Sequence, residues 1–325
     1  MTSSVEFGIT LPQRGVFFGI TTIRDMLDMT IDAERSGVFK SVWVGDSLFA
    51  KPRPDSLTLL GALASVTNAL KLGVGCMASF PVRDPMIFAY QWANLDLISE
   101  GRMLLAACTG IVAGGASARE GSHWGVIDKE RAFRLEENIE ICRRLWSEDD
   151  VTFSGDYHSF EGVTVQPKPV QNPCPIWIAA NPRPGTKFAD RSMRRVAERA
   201  DGWMTVRMNP GSMSDNWAQI CEFLKERGRN PDDFPNMAYH NININSDKQA
   251  ALEESTKFLD EYYGPVFSPQ VVDGWTATGT PEQCIEHLRG LIAEGAKTIT
   301  LRITSWGQKE QYKRLVNEVL PYVNE

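Results

Sequence analysis

The 325-residue sequence predicts a single (β/α)₈ barrel of the α/β class, and three observations support it. Strand-like and helix-like segments alternate from the start of the chain, as in parallel strands joined by crossover helices. Eight strand-like segments can be identified, which is the number that closes such a barrel. No repeat, low-complexity tract or linker divides the chain, so residues 1–325 are expected to form one domain.

The first third of the chain contains four strand-then-helix units. Val5–Leu11 alternates apolar with small or polar residues over one strand length. Gly37 ends the first helix, and Pro85 begins a later one at a position where its missing N–H costs nothing. The strands of this part are predicted at Val5–Leu11, Ser41–Gly45, Leu70–Cys76 and Arg102–Cys108. Its helices are predicted at 22–36, about 55–68 and 85–99.

The rest of the chain repeats this pattern less regularly. Glu130–Trp146 is a long amphipathic helix, and residues 150–173 are interpreted as an inserted hairpin and loop. Residues 263–279 have no clear period, so they are either a lid or a long connection. The remaining strands are predicted at Ile176–Ala180, Gly202–Val206, Met237–Asn245 and Thr298–Ile303.

Composition excludes several classes of function. The formal net charge of −7 argues against binding to nucleic acid or an anionic membrane, because both need a basic surface. A small anionic ligand remains compatible, since a few backbone N–H groups and one arginine suffice locally. No segment looks like a signal peptide or a membrane span. The six cysteines are scattered without a CxxC motif, which favours reduced thiols, no metal site and a cytoplasmic protein.

Several motifs follow one another in the order found in one known family. They are Leu72–Pro85, Trp92–Arg102, Pro175–Ala180, Arg195–Trp203 and Gly279–Cys284. Together they resemble the bacterial luciferase-like family of flavin- or deazaflavin-dependent oxidoreductases. The resemblance implies a barrel with an isoalloxazine or deazaflavin ring at its carboxyl-terminal mouth, where barrel chemistry takes place. It also implies an insertion after strand four or five, which residues 150–173 would supply.

The resemblance assigns the ring slot to the end of the third strand. Gly75, Cys76, Met77 and Ala78 align with the family's bulge behind the ring, which often contains a cis peptide bond between non-proline residues. The competing interpretation is that Gly75 and Cys76 are simply small core residues at a strand end.

Two further regions are candidates for the cofactor's polar groups. Asp46 and Thr109 end strands two and four, where they could face the polar edge of the ring; Asp46 could instead only cap a turn. The segment after strand five could bind a phosphate at a helix start, or could be an ordinary turn. Its candidate residues are Asn181, Arg183, Gly185 and Thr186.

Asp46 and His123 are the predicted catalytic residues. His123 lies in the glycine-rich segment Gly110–Gly125, beyond strand four, and could relay a proton near neutral pH. The equally weighted interpretation is an exposed loop residue.

The sequence favours a monooxygenase that takes reduced FMN from a separate flavin reductase and inserts oxygen into a small organic substrate. The alternative is a hydride-transfer enzyme that uses the deazaflavin coenzyme F420. Ser47 stands where deazaflavin-dependent relatives often have histidine, and no basic channel for a polyglutamate tail is evident, so FMN is preferred. A non-catalytic flavin-binding protein is a third, weaker alternative. A homodimer or higher homo-oligomer is expected.

Overall fold

The computed structural model describes residues 4–110 and 116–325. The strands in these residues are β1 (Glu6–Thr10), β2 (Phe39–Val44), β3 (Lys71–Met77), β4 (Met103–Ala107), β5 (Val151–Ser154), β6 (Ser159–Val163), β7 (Ile176–Ala179), β8 (Gly202–Thr205), β9 (Asn236–Ile244), β10 (Thr276–Gly279) and β11 (Thr298–Ile303). The α-helices are α1 (Gly15–Phe18), α2 (Ile23–Ser36), α3 (Ser56–Ala64), α4 (Pro85–Ile98), α5 (Ala116–Ser122), α6 (Arg131–Ser147), α7 (Lys187–Arg199), α8 (Ser212–Glu226), α9 (Lys248–Tyr263), α10 (Pro269–Gly274), α11 (Pro281–Ala293), α12 (Gln308–Arg314) and α13 (Leu320–Val323).

Eight parallel strands close into a barrel in the order β1-β2-β3-β4-β7-β8-β9-β11, with β11 returning to β1. The predicted fold class is therefore confirmed. Strand β9 is long enough to pair with two strands along one edge. Its first residues pair with β8, and its last residues pair with β10. The antiparallel hairpin β5–β6 forms a separate sheet within the predicted insertion.

Helix starts are fixed by their capping residues. Thr22 and Asp25 form a capping box at the start of α2, and Thr280 and Gln283 form another at α11. Asp84 accepts hydrogen bonds from the first backbone N–H groups of α4. These local signals explain why the predicted helix boundaries agree with the structure within a few residues.

Residues 263–279 differ from the expected irregular segment. They contain α10 and β10, and both Val272 and Trp275 are buried. Strand β10 has the sequence Thr-Ala-Thr-Gly, which has no large apolar residue and gave no periodic signal. It is stabilised by pairing with the far half of β9 rather than by its own side chains.

Large side chains fill the barrel interior. Trp43 and Trp177 project from β2 and β7 with ring centroids 6.2 Å apart, and Met204, Met237 and Tyr239 pack beside them. The interior is thus a packed core that forms the floor below the barrel mouth. A larger core lies between the strands and the surrounding helices. Within the described residues, no helix has the length and apolar character needed to cross a membrane.

Candidate active site

A cavity of about 600 Å³ opens at the carboxyl ends of the barrel strands. Its walls come from the segments that follow β2, β3, β4, β7 and β8, together with parts of α6, α7 and α9. Cavities of this size commonly hold a cofactor or a small substrate. The position agrees with the mouth predicted from the sequence.

Residues from the ends of β3 and β4 form one side of the cavity, which we call the small-residue wall. It consists of Gly75, Cys76, Ala78, Cys108 and Thr109. The peptide bond between Gly75 and Cys76 is cis, and the pairing register of β3 with β4 shifts at this point. The structure therefore has the bulge that the resemblance implied.

Met77, the fourth residue of the predicted slot, does not line the cavity. Its side chain is fully buried in the core between the barrel and the helices. Side chains of a strand alternate between its two faces, so Met77 points away from the side that its neighbours present to the cavity. The predicted ring contact of Met77 is corrected on this ground.

Gly75 is small for a specific reason. A Cβ atom at this position would lie 2.5 Å from Met204 Cε and 3.1 Å from Trp43 Cε3. Gly75 therefore makes room for the side chains of the barrel floor while its backbone borders the cavity. Gly75 therefore packs against the core, as one interpretation of the sequence expected, and it also borders the cavity. Its contact with a cofactor ring stays a prediction.

Asp46 borders the cavity, but its carboxylate is already engaged. Oδ1 accepts a hydrogen bond of 2.5 Å from Ser56 Oγ, and Oδ2 accepts one of 2.7 Å from Ser79 N. Arg83 Nη2 lies 3.6 Å from Oδ1. These contacts join the ends of β2 and β3, so the geometry favours a role in positioning the site for Asp46.

His123 is exposed and does not line the cavity. Its ring packs edge-on against Phe49 and Trp124, with centroid distances of 6.5 and 6.2 Å. Residues 111–115 of the glycine-rich segment lie outside the described residues. The catalytic role predicted for His123 gains no support from its position.

Of the predicted phosphate segment, only Asn181 reaches the cavity, together with the neighbouring Pro182. Arg183, Gly185 and Thr186 are exposed or face away from it. Thr186 caps α7, since its Oγ1 accepts a hydrogen bond from Ala189 N. The helix that follows supplies other contacts: Phe188, Ser192 and Arg195 line the cavity.

The cavity lining also includes positive charges that the sequence did not reveal. We call this set of residues the cationic wall, and it consists of Lys51, Arg53, Lys129, Arg131 and Arg195. Three acidic residues line the same cavity, namely Asp46, Glu120 and Asp128. Arg195 is paired with a glutamate of α6. No basic channel was evident from the sequence, because these five cationic residues come from three separate segments of a chain with a net negative charge.

Arg131 connects the two walls. Its Nε donates a hydrogen bond of 2.5 Å to Thr109 O, and its Nη2 donates one of 3.1 Å to Ala78 O. Its Nη1 is buried and has no hydrogen-bond partner among the residues that the structure describes. Gly110, at φ +77°, leaves space for the guanidinium, because a Cβ there would lie 2.8 Å from Nη2. Arg131 thus offers a charged donor at the cavity.

Lys51 and Arg53 follow β2 and stand against tyrosine rings. Lys51 Nζ lies 4.9 Å from the ring centre of Tyr263, and the Arg53 guanidinium lies 5.6 Å from that of Tyr262. Burial, assisted by the positive charge of Arg53, lowers the pKa of Lys51 to about 8. The amine therefore titrates near neutral pH, where a proton-transfer group is most effective.

The tyrosine rings rest on a buried arginine. Arg302 of β11 lies 4.8 Å from the ring centre of Tyr262 and 5.0 Å from that of Tyr263. It donates hydrogen bonds to Tyr263 Oη at 2.6 Å and to Asn241 Oδ1 at 2.9 Å. This arrangement holds the tyrosines in place beside the cavity.

Lys51 and Arg53 lie in the loop after β2, and this position is the signal by which they could have been found. Arg131, Arg195 and the two tyrosines lie on helices α6, α7 and α9, where the sequence shows no such signal. The family is established by comparison: residues 5–268 match the family model of luciferase-like monooxygenases, and the chain belongs to this family of oxidoreductases.

The curated relatives include F420-dependent glucose-6-phosphate dehydrogenases from two organisms. The chain is 26% identical to the F420-dependent glucose-6-phosphate dehydrogenase of Intrasporangium calvum, over 92% of this chain and 94% of the relative. It is 32% identical to that of Amycolatopsis mediterranei over 174 residues, which is 52% of this chain and 51% of the relative.

Solved structures share the fold at lower identity. The monooxygenase RslO1 from Streptomyces bottropensis superposes with a TM-score of 0.79 at 23% identity, covering 98% of this chain and 99% of that one. An F420-dependent secondary alcohol dehydrogenase, in complex with an F420–acetone adduct, superposes with a TM-score of 0.82 at 18% identity, covering 99% of this chain and 100% of that one. Both likenesses concern the fold.

Proposed function

We propose that the protein is an F420-dependent oxidoreductase that transfers hydride between the deazaflavin and a small alcohol or carbonyl substrate. The observation that carries this proposal is the similarity, along 92% of the chain, to an F420-dependent dehydrogenase. Two further relatives, one of them 32% identical over 174 residues, are also F420-dependent dehydrogenases.

The residues of the cavity fit such a cofactor. A deazaflavin coenzyme has a flat ring and an anionic tail, and the cavity is lined both by small residues and by cationic side chains. Gly75, Cys76 and Ala78 would lie against the ring. Arg131 and Arg195 line the cavity and would attract the negative charges. When bound, the deazaflavin supplies a two-electron hydride donor or acceptor.

The chain itself must handle the proton that accompanies hydride transfer. Lys51 is the candidate, because it borders the cavity and its pKa is lowered to about 8. Its neutral amine can accept a proton from a substrate hydroxyl, and its ammonium form can return one to a carbonyl oxygen. The ring of Tyr263 lies 4.9 Å from Lys51 Nζ and helps to position this amine.

The relatives favour the deazaflavin over FMN, which reverses the preference drawn from the sequence. One argument for FMN was the missing basic channel, and the cationic wall removes it. The other was Ser47, whose Oγ accepts a hydrogen bond of 3.0 Å from Lys51 N. Ser47 thus helps to position the loop that carries Lys51. A separate flavin reductase is required only if the enzyme uses reduced FMN.

An assay without oxygen tests the proposed function. The purified protein is incubated with F420 and a panel of small alcohols and sugar phosphates, and the deazaflavin absorbance is followed. We expect bleaching that depends on both protein and substrate. In parallel, oxygen uptake is measured with reduced FMN. Oxygen uptake above the uncatalysed rate, without any deazaflavin reduction, would reject the proposal in favour of a monooxygenase.

A further inference from the structure

Two cysteines from neighbouring strands meet in the small-residue wall. Cys76 lies one residue before the end of β3, and Cys108 follows β4. Their Sγ atoms lie 3.1 Å apart, with the Cys108 thiol donating to the Cys76 sulfur. The backbone N–H of Gly110 donates to Cys108 Sγ at 3.4 Å. Both residues line the cavity, so a small oxidant can reach them through its mouth.

We propose that Cys76 and Cys108 form a redox-active thiol pair, which a hydroperoxide oxidises to a disulfide across the small-residue wall. Cys76 is the attacking residue. The thiolate of Cys76 attacks the O–O bond of the hydroperoxide, giving a sulfenic acid and releasing an alcohol or water. The Cys108 sulfur then attacks Cys76 Sγ, the S–S bond forms and water leaves. Two thiols are oxidised by two electrons, and the hydroperoxide is reduced.

The surroundings distinguish the two sulfurs. The hydrogen bond from the Cys108 thiol lowers the pKa of Cys76, and the positive charge of Arg53 acts in the same direction. The same hydrogen bond, together with burial, raises the pKa of Cys108. The thiolate is the reactive form of cysteine, so Cys76 reacts first and Cys108 resolves the product. The sulfurs need to approach by about 1 Å to reach the ~2.05 Å of a disulfide.

The other cysteines lack these features. Burial raises the pKa of Cys174 and of Cys284 to about 12, and it also raises that of Cys142. Cys221 is half-buried on α8 and does not line the cavity. Cys221→Ser is therefore a matched control for the removal of one thiol.

Intact-protein mass spectrometry tests the pair. The full-length protein is treated with one equivalent of hydrogen peroxide and then with dithiothreitol. The wild type and Cys221→Ser should lose the mass of two hydrogen atoms and regain it on reduction, and peptide mapping should join Cys76 to Cys108. Cys108→Ser should instead gain one oxygen atom, which dimedone traps on Cys76. Wild-type protein that keeps its full mass, or that is cross-linked between other cysteines, overturns the proposal without recourse to any variant.

A second measurement asks what the disulfide does, and it rests on the proposed function. A disulfide would displace Cys76 Sγ within the slot, so oxidised wild type should bind F420 at least tenfold more weakly than reduced protein. Equal affinity would overturn the inferred control of cofactor binding. Reduced protein that does not bind F420 would reject the proposed function, whereas the mass result is independent of the cofactor.

Discussion

The two walls of the cavity have opposite origins. The small-residue wall comes largely from one continuous segment, Gly75–Ala78, and its shape is set by the bulge of β3 and by the packed barrel floor. The cationic wall is assembled from three segments far apart in the chain, between Lys51 and Arg195. The first wall provides a surface of fixed shape, and the second provides charge. We therefore expect that mutations can separate the contributions of shape and charge to binding of the proposed cofactor.

Removal of Arg131 should have the largest effect, because this residue touches both walls. Arg131→Met deletes two charge-assisted hydrogen bonds and one cavity charge. We expect F420 affinity to fall by about 100-fold, or ~2.7 kcal/mol. Fluorescence titration measures it. The control is Arg134→Met, one turn further along α6, where the side chain pairs with Glu130 outside the cavity. Equal losses in both variants would contradict a specific role for Arg131.

Two glycines of β3, Gly73 and Gly75, allow the effect of the small-residue wall to be distinguished from that of the barrel floor. A Cβ at Gly73 would collide with the rigid Trp43 ring, whereas one at Gly75 would meet the flexible end of Met204. Gly73→Ala should therefore lower stability by about 3 kcal/mol and Gly75→Ala by about 1 kcal/mol. Only Gly75 borders the cavity, so only Gly75→Ala should also weaken F420 binding. Thermal melting and titration are measured on both proteins. An F420 affinity of Gly75→Ala equal to that of the wild type would show that Gly75 does not belong to the cofactor site.

Lys51 should make the affinity for an anion depend on pH. The amine is charged below a pKa of about 8 and neutral above it, so F420 affinity should fall as pH rises through this value. We expect a change of about tenfold, or ~1.4 kcal/mol. Lys51→Arg keeps its charge throughout and should abolish this pH dependence. In that variant turnover should fall more than affinity, since arginine cannot exchange a proton here. An unchanged pH profile would exclude Lys51 as the titrating group.

His123 should give the smallest effect. Its ring is exposed beside Phe49 and Trp124 and does not reach the cavity. We expect His123→Ala to change turnover by less than about twofold, within ~0.4 kcal/mol of the wild type. Steady-state kinetics of the two proteins provide the test. A large loss of turnover at normal cofactor affinity would restore the catalytic role first predicted for this residue.

The fold could be predicted from the sequence because its signals are local. Strand alternation, helix-boundary residues such as Gly37 and Pro85, and the ordered motifs each occupy a short stretch of chain. Strand β10 was missed because its stability comes from a partner strand rather than from its own residues.

The site was only partly predictable, for a related reason. Gly75, Cys76 and Ala78 lie within one motif, and they were found. Lys51 and Arg131 line the same cavity only because the barrel closes. The negative net charge of the chain gave no indication of a local cluster of cations. The approach of Cys76 to Cys108 also depends on pairing between β3 and β4, which sequence spacing does not show. Residues Arg183 and Thr186 looked suitable in type, but they are exposed and do not line the cavity.

The central claim is that the two walls together bind an anionic deazaflavin in preference to FMN. Parallel fluorescence titrations of the wild-type protein with F420 and with FMN, each at low and high salt, test it most directly. We expect tighter binding of F420 and a steeper loss of its affinity with salt, because its longer anionic tail would interact with the cationic wall. Tighter binding of FMN, or an F420 affinity that does not respond to salt, would contradict the claim.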